Sequence, residues 1–193
     1  MKTVHLLMAV LGMHGIIACA ADRAYQWTED VALAGGQRIV ADRRAVFEAT
    51  NDLLGARGSG WLFKESSIAA ELPAPIAKRV SLEGRLAPLV LDISDGVAYL
   101  IGVPTAVGED QWKVPRHELY VAFRLGGEGW QRIPLRDVPE SLRPNLLASV
   151  RTLFVDRDSA TRHVTLDLKS KLDSRPELDR RYKTIIRLPA PNK

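Results

Sequence analysis

The stretch PLVLDISDGVAYLIGV, residues 88–103, decides the fold class because it has the pattern of a β-hairpin. At its centre, Asp95-Gly96 is a two-residue turn of the kind that matches the twist of paired strands. Both faces of the two strands are mostly apolar, which predicts central strands covered on both sides. The predicted cross-strand pairs are Ile93 with Ala98, Leu91 with Leu100, Leu89 with Gly102, Val90 with Ile101 and Asp92 with Tyr99.

A second hairpin is predicted over residues 25–47, where two stripes alternate with a period of two. A turn made of Gly35 and Gly36 alone would place the two apolar stripes on opposite sides of the sheet. A three-residue loop that adds Gln37 places them on the same side. It opposes Leu33 to Ile39, Val31 to Ala41, Glu29 to Arg43, Trp27 to Ala45 and Tyr25 to Phe47. The two charges within the stripe thereby become a structural pair.

The remaining pattern predicts more strands and one short helix. Further strands are expected at residues 61–68, 79–85, 116–125 and 130–135, with a last hairpin from 151–155 and 162–168 and a final strand at 183–188. The helix is expected at residues 139–148, although Pro144 interrupts it. Nine or ten strands joined mostly by hairpins indicate an all-β, mainly antiparallel fold, either a sandwich or a partly closed barrel.

The N-terminal stretch LLMAVLGMHGIIAC, residues 6–19, follows the basic Lys2 and carries no charge. It is too short to cross a bilayer as a helix, which takes about 20 residues. A basic start, a short apolar run and small residues at its end are typical of a secretory signal peptide. Ala18-Cys19-Ala20 fits cleavage after Ala20, which would release a soluble chain that starts at Ala21.

Residues 16–19, Ile-Ile-Ala-Cys, instead resemble the lipobox of bacterial lipoproteins, with Ile16 where Leu is usual. That resemblance implies that Cys19 becomes the first mature residue and carries the lipid. Cys19 is the one cysteine of the chain, so it has no disulfide partner within it. Several acyl chains, at about 0.8 kcal/mol per buried CH₂, would hold the protein on a membrane. The absence of Asp after Cys19 implies the outer membrane of a Gram-negative cell, with the protein facing the periplasm.

The expected organisation is therefore a signal peptide at 1–18, a tether at 19–24, one β domain at 25–188 and a frayed tail at 189–193. Apolar residues make up 46% of the chain and charged residues 26%, as in ordinary globular proteins. The net charge of +4 falls to +3 when Lys2 is removed, and acidic residues are interspersed with basic ones. Nucleic acid is therefore not an expected partner.

Three segments together resemble an uncharacterised family of proteobacterial envelope proteins. They are WTEDVALAGGQRIVADR at 27–43, LYVAFRLGGEGWQRIPLRDVPESLRPNLL at 119–147 and YKTIIR at 182–187. The resemblance spans most of the mature chain and implies an envelope location. It implies no known activity.

No set of residues predicts catalysis, a cofactor or a metal. His117 and His163 are too few and too far apart for a metal site. The acidic turn at residues 156–158 lacks the oxygen ligand and the glycine that a calcium loop has at its fifth and sixth positions. The spacing of residues 58–60, Gly-Ser-Gly, is wrong for a nucleophile elbow.

Two features leave room for ligand chemistry. Trp61 and Trp112 lie near loops, where exposed tryptophans would suit sugar or peptide recognition. Glu109 and Asp110 lie in a loop, and with Asp92 they are the carboxylates that a cell-wall or polysaccharide hydrolase would use. We expect a lipid-anchored, non-enzymatic envelope protein that binds a partner, such as another envelope protein, or supports assembly. The alternatives are a soluble periplasmic or secreted binding module and the hydrolase.

Overall fold

The structure, a computed structural model, describes residues 22–50, 60–105, 108–115, 118–155, 157 and 159–187. Within these residues nine strands form two sheets. The strands are β1 (Arg23–Ala32), β2 (Arg38–Thr50), β3 (Gly60–Leu72), β4 (Lys78–Gly84), β5 (Leu86–Ser94), β6 (Val97–Pro104), β7 (Val121–Gly126), β8 (Gly129–Ile133) and β9 (His163–Val164). The α-helices are α1 (Glu109–Trp112), α2 (Leu166–Asp173) and α3 (Arg180–Lys183).

The fold is the predicted all-β sandwich, with no closed barrel among the described residues. The large sheet has the order β4-β3-β2-β1-β9, and the small sheet has the order β5-β6-β7-β8. Neighbouring strands are antiparallel except that β9 runs parallel to β1. β1 begins at Arg23, two residues before the predicted start of the domain.

The hairpin of β5 and β6 has the predicted turn and most of the predicted register. Asp95 and Gly96 have φ values of 51° and 74°, as this turn type requires. The Leu89–Gly102 pair is wrong, because a β-bulge shifts the ladder and places Pro88 opposite Gly102. β6 is central as predicted, but β5 is wrongly predicted as central and lies at the edge of the small sheet.

The hairpin of β1 and β2 is displaced by two residues from the predicted register. Val31 lies opposite Ile39 instead of Ala41, and the rest of the ladder is displaced equally. The cause is a longer loop, in which the Leu33 N–H donates to the Gln37 carbonyl at 2.8 Å. A shift of two residues keeps every side chain on its predicted face, so the apolar stripe still lines the core.

The inner face of the large sheet packs against two different partners because its long strands extend beyond the small sheet. One half of this face forms a cluster with the small sheet, in which Val31, Ile68 and Ala70 meet Leu91 and Leu100. The other half packs against the C-terminal part of the chain. The residues of this second cluster are Trp27, Ala45, Phe47, Leu147, Val150, Leu153, Phe154, Val164 and Leu172.

The outer face of the small sheet is also covered. Residues of β5, β6 and β7 pack there against Val138, Leu142 and the segment at 182–186. Tyr120 anchors that segment, since its hydroxyl lies 2.9 Å from the Arg181 carbonyl and 3.0 Å from the Thr184 carbonyl. This coverage explains why both faces of the β5–β6 stretch are apolar.

The helix predicted at residues 139–148 does not form. Pro144 has no N–H to donate within a helix. The N–H groups of Asn145 and Leu146 both donate to the Leu89 carbonyl, each at 3.0 Å. The backbone of these two residues therefore satisfies the outer edge of β5 and takes no part in a helix.

The last predicted hairpin is also wrong. Arg151–Val155 form a single π-helical turn, and the second predicted strand, 162–168, is a strand only at His163–Val164, since residues 166–168 begin α2. Thr165 starts this helix, because its Oγ1 accepts the Leu168 N–H at 3.2 Å. The strand predicted at 183–188 is absent through residue 187, and residue 188 lies outside the described residues. Short apolar runs do not distinguish strand from helix.

Candidate functional site

A cavity of about 480 Å³ lies at the inner face of the large sheet. Strands β2 and β3 form one wall, the end of β6 forms another, and residues 147–152 and 178–182 close it. The volume is within the range of pockets that hold small ligands. The side chains that matter below are Trp27, Arg43, Phe47, Trp61, Arg151 and Arg181.

The walls of this cavity are largely apolar and aromatic. The Phe47 ring meets Phe63 edge to face, with 5.3 Å between centroids. Trp27, which lines the cavity, packs on Phe154 at 4.8 Å, and Phe154 stacks on Tyr25 at 5.4 Å; these two rings support Trp27 and do not line the cavity themselves. Period-two alternation puts the β1 and β2 members on one face, and the π-helical turn brings Phe154 to them. Such walls would hold a hydrocarbon or a ring.

Arg43 supplies a buried cation to the cavity. The residue is 4% exposed and its guanidinium lies 5.3 Å from the centroid of the Trp27 ring. Its Nη1 is 3.2 Å from Glu29 Oε1, an ion-pair distance, but neither Nη1 nor Nε has a hydrogen-bond partner among the described residues. Burial lowers the pKa of Arg43 from its ordinary value, and the charge of Glu29 opposes this shift. A buried N–H without an acceptor is costly.

Glu29 is the carboxylate that pairs with Arg43. The prediction that the two residues lie directly opposite each other is wrong, because Glu29 lies opposite Ala41. Glu29 is 0% exposed. Its Oε1 accepts the Leu147 N–H at 3.0 Å, and its Oε2 accepts the Trp27 indole N–H at 3.0 Å. Lys169 Nζ lies 3.6 Å from the same Oε1. One carboxylate is therefore shared by two buried cations.

Lys169 closes this cluster from α2. Its Nζ donates to the carbonyls of Asp30 at 2.6 Å and Asn145 at 2.5 Å. Burial lowers the pKa of Lys169, and Glu29 is the strongest influence that raises it. The Lys169 ammonium therefore already contacts three oxygens, whereas the Arg43 guanidinium has N–H groups without an acceptor.

Further charges in the lining are mostly positive. Arg151 and Arg181 both line the cavity, and Glu48 is the one acidic side chain among its described lining residues. Arg181 is partly exposed and its Nε lies 3.1 Å from Asp179 Oδ2. The described lining thus has more cationic than anionic side chains, and Arg181 already has a carboxylate neighbour.

The two tryptophans singled out from the sequence lie in different places. Trp61 lines the cavity, and the Arg23 guanidinium lies 4.3 Å from its ring centroid. Trp112 packs edge to face on Phe123 at 5.3 Å, away from the cavity lining. Its indole N–H donates to the Arg85 carbonyl at 3.3 Å.

The other candidate residues do not gather around this cavity. Asp92 is buried and accepts the N–H groups of Ala34 at 2.9 Å and Ile93 at 2.7 Å, which ties the end of β1 to β5. Cys19 and His117 lie outside the described residues, as do the signal peptide, the tail at 189–193 and most of the acidic turn at 156–158. The side chains of Glu109 and Asp110 are likewise not described.

A second depression, of about 710 Å³, lies on the outer face of the large sheet and is more open. Its lining is rich in polar side chains such as Gln26, Asp42 and Arg44. In the part of the chain that is described, no three or more His, Cys, Asp or Glu side chains form a potential metal site. That part also contains no helix long and apolar enough to cross a membrane.

Sequence reasoning pointed to Trp61 and to the Glu29–Arg43 pair but not to the cavity. Its far wall comes from Leu147, Val150 and Tyr182, more than a hundred residues from Trp27. The available signal was the aromatic stripe of the first hairpin. Comparison with protein-family models, curated proteins and solved structures finds no match to this chain.

Proposed function

We propose that this protein is a lipid-anchored binding protein of the bacterial cell envelope and that it holds a small molecule in the cavity beside Arg43. The observation that carries the proposal is the combination of aromatic walls with a buried guanidinium whose Nε and Nη1 lack acceptors. Native buried polar groups are nearly always satisfied. A buried guanidinium that lines a cavity of ligand size and keeps N–H groups without an acceptor therefore favours a bound partner.

The anchoring part of the proposal rests on the sequence. The lipobox-like residues 16–19 end in the one cysteine of the chain. Mass spectrometry of the mature N-terminus should find an acylated Cys19 and no residues before it. A mature chain that starts at Ala21 would support the soluble alternative. A Cys19→Ser variant that still fractionated with membranes would contradict the anchor.

Binding in the cavity can be tested with a neutral apolar dye. We would titrate purified protein, kept soluble in an amphipol, with N-phenyl-1-naphthylamine and follow the dye fluorescence. Ala148→Phe should fill the cavity, because Ala148 lines it, and should weaken binding by about tenfold or more. Ala69→Phe, on the outer face of the large sheet, should bind as the natural protein does. Equal binding of the dye by the natural protein, Ala148→Phe and Ala69→Phe would contradict a binding site in the cavity.

Strand addition by another envelope protein is the competing binding mode. β4 is an outer strand of the large sheet and β8 is an outer strand of the small sheet, and no segment in the described part of the chain covers their open edges. Asn145 and Leu146 cover the open edge of β5. Charged residues Lys78 and Arg79 begin β4, and charges on an edge oppose pairing with a further strand. The cavity is therefore the better-supported binding site.

A further inference from the structure

We propose that the ligand of the cavity is a single-chain anionic amphiphile whose oxyanion head group pairs with Arg43. This inference rests on the proposed binding function and specifies the chemical class of the ligand. It follows from the charges, the walls and the position of the cavity relative to the lipid anchor.

The head group follows from the hydrogen bonds that Arg43 leaves open. Glu29 Oε1 is approached by the Leu147 N–H, Arg43 and Lys169, and Oε2 by the Trp27 indole. This carboxylate therefore cannot also satisfy Nε of Arg43. Nε and Nη1 are already shielded from solvent, and a neutral apolar ligand would offer the guanidinium no acceptor. A carboxylate or phosphate oxygen beside the guanidinium would supply a charge-assisted acceptor.

The hydrocarbon part follows from the walls. Phe47, Trp61 and Val150 line the same cavity as Arg43 and offer it apolar surface. Burial of each CH₂ of an alkyl chain against such surface is favourable by about 0.8 kcal/mol.

The proximity of the membrane favours an amphiphile over a soluble metabolite. Four residues of extended chain from Cys19 to Arg23 span at most about 14 Å. Arg23 itself lies against Trp61, which lines the cavity. A lipid anchor on Cys19 would thus hold this wall of the cavity close to the membrane surface, where single-chain lipids are concentrated.

The test compares head groups on one alkyl chain. The purified mature protein in amphipol would be titrated with dodecanoate, dodecyl phosphate and dodecanol, each below its micelle concentration, and tryptophan fluorescence would be followed. Ala148→Phe in the same amphipol measures ligand taken up outside the cavity. We expect at least one of the two anions to bind about tenfold or more tightly than dodecanol. The stronger of the two identifies a carboxylate or a phosphate as the natural head group.

Variants at Arg43 then assign the preference to this side chain. In Arg43→Met the anion should lose its advantage over dodecanol to within about twofold, while Arg43→Lys should retain part of it. If the natural protein binds dodecanol as tightly as both anions, the head-group inference is overturned and the binding function stands. If Ala148→Phe binds every ligand as the natural protein does, the proposed function fails as well. The head-group comparison does not depend on whether Arg43→Met folds.

Discussion

Glu29 Oε1 and Arg43 Nη1 lie 3.2 Å apart although the two residues do not face each other across the β1–β2 hairpin. Glu29 lies opposite Ala41, and Arg43 lies opposite Trp27. The ion pair is therefore diagonal, a geometry that long side chains on one face of a sheet can reach. Trp27 lies two residues before Glu29 on the same face of β1, so the carboxylate also accepts the indole N–H of Trp27.

Removal of the shared carboxylate should destabilise the domain strongly. Glu29→Ala would leave Arg43 and Lys169 buried without their common counter-charge, which costs about 3–5 kcal/mol. Urea denaturation would measure the free energy of unfolding. Glu65→Ala is the matched control, since Glu65 forms a partly exposed pair with Arg44 at 3.4 Å and should cost under about 1 kcal/mol. Similar losses in both variants would contradict a special role for the buried cluster.

Asn145→Ala should separate the segment at 145–146 from the sandwich. The Asn145 amide oxygen accepts the Leu91 N–H at 3.0 Å, and its nitrogen donates to the carbonyls of Ala32 at 3.0 Å and Leu91 at 2.9 Å. Loss of these bonds should cost about 2–4 kcal/mol in urea denaturation. Lys171→Ala, which removes an exposed pair with Asp167, is the control and should change stability by less than about 0.5 kcal/mol. An unchanged stability of Asn145→Ala would show that the backbone bonds of residues 145 and 146 to Leu89 hold the segment without this side chain.

The burial of Lys169 should produce a measurable pH dependence. Its pKa in the folded state is lowered below the ordinary value of 10.5, chiefly by burial. Between the two pKa values the unfolded chain binds more protons, so the free energy of unfolding rises with pH through this window and levels off above 10.5. The free energy of unfolding of the natural protein, relative to that of Lys169→Met, should therefore rise as the pH approaches 10.5 from below. A difference that stayed constant with pH would refute burial of the ammonium.

Gly102 should not tolerate a side chain. A Cβ there would lie 2.8 Å from the Ala87 carbonyl oxygen, a backbone atom that cannot turn aside. We expect Gly102→Ala to lower the free energy of unfolding by about 1–3 kcal/mol. Gly127→Ala is the control, because nothing lies within 4 Å of its Cβ position. Thermal unfolding of both variants would check this, and an unchanged melting temperature for Gly102→Ala would show that β5 and β6 adapt.

The sequence predicted hairpins well where the turn itself determines the register. Asp95-Gly96 permits only a tight two-residue connection, so the pairs up to Val90 and Ile101 are as predicted. The first hairpin has a looser glycine loop, and registers that differ by two residues place the same side chains inward. Alternation alone therefore determined the buried face of β1 and β2 but not the partner of each residue.

The C-terminal third and the cavity depend on contacts that no local pattern reveals. The apolar run Arg151–Val155 suits a strand or a helix equally, and packing of Phe154 on Trp27 and Tyr25 accompanies the helical turn. Likewise, Arg43 and Tyr182 line the same cavity only because the segment at 182–186 folds back onto the small sheet. Only the N-terminal half of the site, with Trp27, Arg43 and Trp61, could have been identified from the sequence.

The parallel pairing of β9 with β1 also bears on how the protein is delivered. Asp30 and Lys169 are joined by a hydrogen bond although 139 residues separate them. If the chain is exported as proposed, β1 leaves the export pore before α2, and its buried Glu29 meets Lys169 only after α2 has followed. During that interval the inner face of the large sheet would be open to a holding chaperone. Burial of this charge cluster would therefore wait for the export of α2.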